Sequence, residues 1–371
     1  MGDPRLGRLA DVLVGYSSAV RPGDIVMLEA ATPVAAPLIR ALYARVLQAG
    51  GHPHLRIGVD GAVEALLTEG SDEQLDWLNP VRLEEVERAD VRMSVEAETN
   101  TRSLTNVDPA RQRRLALARD PIRDRHFERS AAGELRSLVT LFPTQASAQD
   151  AEMSLEEYEN FVFRAGLLDV DEPVGAWQSL GERIARLADW LGEKEALRVV
   201  SGETDLSLGI EGRTWIACDG KENFPDGEVF TGPIETSVEG TIRFTYPATF
   251  GGRRVRDIEL RFRGGEVVEA RAGEGEDFLH EMLAMDDGAR RAGEFSFGLN
   301  DAVTEFTGHT LFDEKIGGTC HLALGRSYPE SGGVNRSALH WDLVCDLREG
   351  SEVYADGELV YRDGRFLDGI P

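Results

Sequence analysis

Hydrophobic positions in the first half of the chain follow two spacings. Leu6, Leu9, Leu13, Tyr16 and Val20 recur at the interval of one helix face, and Pro22-Gly23 ends the run. Ile25-Val26-Met27-Leu28 is a short continuous apolar run, which predicts a buried strand. Leu38, Ile39, Leu42, Val46 and Leu47 form a second helical stripe, closed by Gly50-Gly51. His54-Leu55-Arg56-Ile57 reads as the next strand. This strand–helix–strand order predicts a parallel sheet with covering helices. Further strands are predicted at 91–95, 138–142 and 197–201, and a further helical stripe at 177–190. Ser154-x-x-Glu157 has the form of a capping box opening another helix. The charge-rich stretch 102–136 reads as helix and surface loop.

The texture changes near residue 200, where short alternating runs and Gly-rich turns take over. Ile258, Leu260 and Phe262 alternate, Gly264-Gly265 turns the chain, and Val267-Val268 completes a hairpin. Tyr354 to Leu359 reads as another, with Asp356-Gly357 as its turn. One helix is predicted at 277–291, with Phe278, Met282 and Leu283 on one face. The expected fold is an α/β N-terminal domain with a mainly parallel sheet (1–200), followed by a β-rich α+β C-terminal domain (201–371). No internal repeat or low-complexity linker interrupts it.

Charge narrows the range of partners. The formal net charge is -26, which argues against nucleic acid, whose phosphates need Lys and Arg. It argues equally against an anionic membrane surface. It suits a solvated acidic surface, or a substrate with a cationic end such as a free amino terminus. Nearly all basic residues are Arg, with Lys only at 194, 221 and 315. No apolar run approaches the roughly 20 residues of a membrane span, and the opening ten residues do not read as a secretory signal. Cys218, Cys320 and Cys345 are odd in number and lack metal-type spacing. They read as free thiols in a reducing, cytoplasmic compartment.

Four segments carry candidate chemistry. In Leu339-His340-Trp341-Asp342-Leu343 the alternation is strand-like, so His340 and Asp342 share a face, as half of a metal site would require. The bland reading is a local hydrogen bond. His321 sits in the apolar run 318–325, where a satisfied core histidine is the alternative, and Tyr328-Pro329 comes at the strand end. Glu228 lies between the turn residues 225–227 and a short apolar run, and Glu294 leads the apolar stretch 295–298. Each could be an exposed edge residue or an inward ligand. His52-Pro53-His54 suggests a turn or an edge strand. Cys320 alternates to the face opposite His321, which removes a Cys/His nucleophile. No P-loop or convincing GxGxxG is present.

Taken together, the stretches 224–233, 293–298, 311–329 and 335–343 resemble the thermophilic-aminopeptidase family of metallo-aminopeptidases. The run LFDEKIGGTCHLALGRSYPESGGVNRSALHWDL is most similar to its archaeal-type branch. The first half resembles the family more loosely, through the opening helix, RPGDIVMLEA and the helix after it. The resemblance implies two divalent metal ions per chain (Zn, Co or Mn), held by Glu228, Glu294, His321, His340 and Asp342. It implies an active-site role for Tyr328, as donor to the oxyanion, and a proton-carrying role for Glu294. His309 carries no family role and reads as structural. The implied reaction removes N-terminal residues from short peptides with free amino termini, through a water activated between two metals. A homodimer is implied as well. The link from Tyr328 to His340 is shorter than in several relatives, yet it still ends in Asn335-x-Ser337-x-x-His340-x-Asp342. Two other classes remain open from the residues. One is a mononuclear iron oxygenase using His340 and Asp342, against which no His comes after Asp342. The other is a non-catalytic relative that serves as a binding protein.

Overall fold

A computed structural model describes residues 3–371. Met1 and Gly2, part of the opening segment tested for a secretory signal, lie outside the described residues. The chain forms two compact units. One runs to Val174 and adds Lys221–Phe224; the other comprises Gly175–Gly220 and Pro225–Pro371. The second begins at 175 rather than at the expected 201. Ile184, Leu187 and Leu191 of the helix Pro173–Leu191 share one core with Leu197 and Val199, so nearly all of that helix belongs to the second unit.

The first unit is built on a parallel five-stranded sheet in the order His52–Ile57, Ile25–Ala30, Val91–Glu96, Arg136–Leu141, Asn223–Phe224. Four of these strands stand close to where hydrophobicity places them. The fifth is two residues long and comes from far along the sequence, so no local pattern announces it. His52–Ile57 is an edge strand, and the N–H groups of His52 and Gly58 reach inward to Asp24 and Ala30. By alternation, residue 53 turns its backbone outward, where a proline costs no ladder hydrogen bond. The predicted capping box at Ser154 and Glu157 is formed. The charge-rich stretch is the helix Pro109–Ala131.

The two faces of this sheet differ. Val26, Leu28, Val91, Met93, Val95 and Leu138 are buried. Glu29 is also buried, at 5% exposure, and three arginines meet it: Arg56 at 2.9 Å, Arg82 at 2.8 Å and Arg92 at 2.7 Å. Burial works against ionisation of Glu29, but the three guanidiniums outweigh it and hold the carboxyl at about 2.

In the second unit an eight-stranded antiparallel sheet and a five-stranded antiparallel sheet contribute to a single core. Leu197, Val199, Leu206 and Leu260 come from the larger sheet; Val229, Phe295, Phe297, Leu322, Leu324, Trp341 and Leu343 come from the smaller. Both predicted hairpins form, and their turns use positive φ at Gly264 and Gly265, and at Asp356 and Gly357. The helix expected at 277–291 is shorter, Glu276–Leu283. Beyond it the Asp286 carboxylate accepts from the Gly288 and Ala289 N–H groups, which makes a turn of residues that helical periodicity would have continued.

The Glu29 cluster sets a test. Its carboxyl is held below the ordinary value of 4.5, so its contribution is complete above that pH and is lost as pH falls toward about 2. The linkage is worth roughly 3 kcal/mol. Glu29→Gln leaves three arginines without their anion and is expected to cost about 3–5 kcal/mol in urea unfolding at pH 7. The same substitution should flatten the acid limb of the stability curve between pH 4.5 and 2. An unchanged midpoint at pH 7 would show that the cluster is neutral in stability.

Candidate metal centre

The five-stranded antiparallel sheet orders its strands His340–Asp346, Thr319–Gly325, Ala292–Gly298, Glu228–Thr231, Ile216–Cys218. Register places Ser296 opposite His321, Ala323 between Glu294 and Asp342, and Gly325 opposite His340. Side chains alternate along each strand, so the intervening residues Phe295, Phe297, Leu322, Leu324, Trp341 and Leu343 enter the core. The polar set Glu228, Glu294, Ser296, His321, His340 and Asp342 is thereby gathered on the other face. At Gly293 the register shifts by one residue, and a Cβ there would lie 2.3 Å from the carbonyl oxygens of Gly325 and Arg326. The Gly of Gly-Glu-Phe-Ser-Phe-Gly thus lets two strands approach beside the site.

All five residues singled out as ligands come together. His321 Nε2 lies 3.0 Å from Glu294 Oε1 and 3.7 Å from Glu228 Oε2. His340 Nε2 lies 3.7 Å from Glu294 Oε2 and 3.4 Å from Asp342 Oδ1. Potential ligand atoms of Glu228, Glu294 and His321 fall within 4.8 Å of one another, as do those of Glu294, His340 and Asp342. Glu294 is common to both triads. Ser296 Oγ donates to Glu228 Oε2 at 3.0 Å, and His340 Nδ1 donates to the Arg326 carbonyl at 2.9 Å. The latter bond fixes the ring with Nε2 turned toward Glu294 and Asp342, in the manner of a metal-bound histidine oriented by its neighbour.

Residues that sequence reasoning missed complete the cluster. Glu314 groups with His321 and Asp342 within the same 4.8 Å, and it pairs with Lys315. Lys315 is 1% exposed, and its Nζ lies 2.9 Å from Glu228 Oε1. Asp226 is buried, and it groups with Glu228 and Cys218. Glu314 and Lys315 stand inside the LFDEKIGGTCH run; a Lys among so few, between an acid and an apolar strand, was the available signal. Cys218 carries no spacing signal, because strand pairing alone sets it opposite Glu228; Asp226 stands two residues before Glu228, among residues that read as a turn. Elsewhere, His309 caps the short helix Thr310–Asp313 by accepting from the Leu311 N–H, and His54 pairs with Glu85 at 3.2 Å.

The electrostatics are those of crowded negative charge. Burial pushes Glu294 and Glu314 up, and Asp226 up to about 8. Burial opposes charge on His321 and His340 too, but Glu294 and Glu228 raise the first to about 10, and Asp342 raises the second to about 9. For Asp342 burial opposes ionisation, and His340 overcomes it, so its carboxyl is held low. Five carboxyls thus face one permanently charged partner, Lys315. His321 Nδ1 is buried without a hydrogen bond, and Asp342 Oδ1 meets the His340 Nε2 at 3.4 Å. Carboxylate oxygens and imidazole nitrogens crowded within 4.8 Å of one another are a donor set that fits a divalent cation.

Tyr328 stands at the rim, 41% exposed, with its ring 5.2 Å from that of His340 and 5.4 Å from that of Phe230. Its backbone is extended, at φ -85 and ψ 122, as Pro329 after it favours. Burial of the phenol and the carboxylates of Glu294, Asp342, Glu314 and Glu228 raise its pKa, so it remains an O–H donor at neutral pH. A cavity of about 350 Å³ adjoins the centre and is lined by Glu314, His340, Trp341, Asp342, Phe250 and Phe306 among others.

Comparison with known proteins gives this geometry a context. Aminopeptidase 2 of Geobacillus stearothermophilus is 28% identical over 406 residues, covering 98% of this chain and 95% of that protein. Aminopeptidase T of Thermus aquaticus is 34% identical over 235 residues, or 56% of each chain. The solved structure of wild-type AmpT from Thermus thermophilus superposes with a TM-score of 0.86 at 25% identity, covering 98% of this chain and 99% of that one. The profile of the thermophilic metalloprotease (M29) family matches residues 2–366, and the chain belongs to that family.

Proposed function

We propose that the chain is a metal-dependent aminopeptidase whose centre is the cluster Glu228, Glu294, His321, His340 and Asp342. The observation that carries this reading is the gathering of those donors on one sheet face, with their potential ligand atoms within 4.8 Å of one another in two overlapping groups. Glu228, Glu294 and His321 in one group, and Glu294, His340 and Asp342 in the other, would hold two divalent cations, and Glu314 is a candidate sixth ligand through His321 and Asp342. Oxygen and imidazole donors without an engaged thiolate suit Zn, Co or Mn. Bound divalent cations would supply Lewis acidity that acidifies water and polarises the first peptide carbonyl.

The chain's own residues then have defined work. Asp342, held ionised at the wall of the cavity, offers negative charge to a substrate's free α-ammonium group. Glu294, the carboxylate common to both groups of potential ligands, accepts a proton from the attacking water and returns it to the leaving amine. Tyr328 donates its phenolic hydrogen to the oxygen of the tetrahedral adduct. Lys315 holds Glu228 Oε1, which leaves Oε2 facing His321. The same reading includes a homodimer, short peptides as substrates and a cytoplasmic setting. The three cysteines are free thiols, in keeping with the last of these. No helix among the described residues is long and apolar enough to cross a membrane.

Three outcomes test the proposal. First, purified protein should carry about two divalent ions per chain. Chelation should abolish turnover of aminoacyl amides, and Zn, Co or Mn should restore it; full activity after exhaustive chelation would refute the reading. Second, acetylating a peptide's amino terminus should abolish cleavage, whereas equal turnover of blocked and free peptides would mark an endopeptidase. Third, Tyr328→Phe should lower kcat on the order of 10²–10³ with KM and bound metal unchanged, as for loss of one oxyanion donor. His321→Ala should lose metal along with activity. Loss of metal in Tyr328→Phe would instead make the tyrosine a ligand.

A further inference from the structure

The loop between the strands Thr319–Gly325 and His340–Asp346 begins beside Tyr328 and ends at His340. Both proposed roles therefore depend on how this segment is held. Its backbone closes on itself at the base: the Arg326 N–H donates to the Leu339 carbonyl at 2.7 Å, and the Ser327 N–H to the Asn335 carbonyl at 3.1 Å. A second attachment comes from outside the loop, from the turn after the helix Glu276–Leu283. Asp286 Oδ1 accepts from the Gly288 N–H at 3.0 Å, the Ala289 N–H at 2.9 Å and the Ser337 hydroxyl at 2.7 Å. Asp286 Oδ2 accepts from the Ala338 N–H at 2.8 Å.

We propose that Asp286 is a positioning residue of the metal centre, latching the segment that carries Tyr328 and His340. The inference rests on the proposed function of those two residues. The chain of contacts is direct. Ser337 Oγ, which donates to Asp286, accepts from the Leu339 N–H at 3.0 Å, one residue before His340. The His340 ring in turn donates to the Arg326 carbonyl, on the strand partner of Leu339. Asn335 braces the same junction by donating to the Gly288 carbonyl at 2.9 Å and the Gly325 carbonyl at 2.6 Å. Approach is close enough that a Cβ on Gly288 would lie 2.7 Å from both the Arg336 carbonyl oxygen and Asn335 Oδ1. One carboxylate oxygen thus serves the local turn and Ser337 together, while the other serves only the loop. Hydrogen bonds to an ionised carboxylate are about twice as strong as neutral ones. Residues that orient a ligand without touching the metal typically change affinity or activity about 10–100-fold when lost.

The test compares five variants with wild type: Asp286→Ala, Asp286→Asn, Ser337→Ala, the Asp286→Ala/Ser337→Ala double and, as a control, the neighbouring Asp287→Ala. Circular dichroism and thermal midpoints establish folding. Zinc retention under graded chelator measures cation affinity without turnover, and kcat and KM are read at saturating zinc. Asp286→Ala should lose about 10–100-fold in zinc affinity, with kcat reduced and KM little changed. Asp286→Asn should fall between, because an amide oxygen in the place of Oδ1 keeps the turn and Ser337, whereas the amide nitrogen in the place of Oδ2 cannot accept from the Ala338 N–H. Ser337→Ala should shift in the same direction, and adding it to Asp286→Ala should cost little more, as for two members of one contact. Asp287→Ala should match wild type. Wild-type zinc affinity and kcat in Asp286→Ala would overturn the inference. So would a lowered thermal midpoint with affinity and kcat intact, which would make Asp286 a local turn residue. If Asp286→Ala does not fold, Asp286→Asn and Ser337→Ala decide by the same readouts. Failure of wild type to cleave peptides would overturn the proposed function alone, while the zinc comparison would still decide the role of Asp286.

Discussion

A carboxylate taken out of water must be met by positive charge or by a proton, and the candidate metal centre is arranged around that requirement. Glu228 and Glu294 are each 4% exposed, Asp226 is 1% exposed, and Glu314 and Asp342 are largely covered. Each uncompensated ion in such a place costs several kcal/mol. The antiparallel sheet makes the crowding possible. One face is given to the core through Phe295, Phe297, Leu322 and Leu343, and that burial holds the strands in register. The opposite face then carries acid and imidazole at fixed spacing without having to provide stability. A slip of one residue would exchange the two faces, so the hydrophobic alternation is also what aims the donors.

Much of this is legible in the sequence. Period-two alternation in Leu339 to Leu343 puts His340 and Asp342 on one face, and the structure places them there. The parallel sheet of the first unit is foreshadowed by apolar runs separated by helical stripes, and both long hairpins by their turn residues. Illegible features share a cause: they depend on partners distant in sequence. The strand Asn223–Phe224 is two residues long and exists only because Arg136–Leu141 offers an edge. The helix expected to reach 291 stops at Leu283, where the next residues turn about an aspartate that also bonds residues 337 and 338.

The centre shows the same limit. Ligand types that sit on strands could be named, because a strand's period says which way they point. Glu314 and Lys315 precede their strand and lie just after a four-residue helix, where no period fixes a direction. Their importance emerges from charge: Lys315 is the one lysine of three that is fully buried, and it is placed among acids. Asp226 was hidden by the turn residues around it, which read as surface in a linear sequence.

The chain contains its own contrast for the argument about charge. In the first unit Glu29 is as buried as the acids of the centre, yet Arg56, Arg82 and Arg92 surround it, and its carboxyl is held at about 2. That cluster is closed, since its carboxylate oxygens face guanidiniums that cannot leave. Around Glu228, Glu294, Glu314 and Asp342 the fixed cation is Lys315 alone, and the two histidines gain protons to make up part of the shortfall. A fold able to place three arginines on one glutamate has no physical need to leave four carboxylates with one lysine. The deficit therefore suits exchangeable positive charge, in the place that arginines would have taken permanently. A hydrolytic centre needs positive charge that can also take up water and a carbonyl oxygen, and a guanidinium fixed in the fold cannot do that.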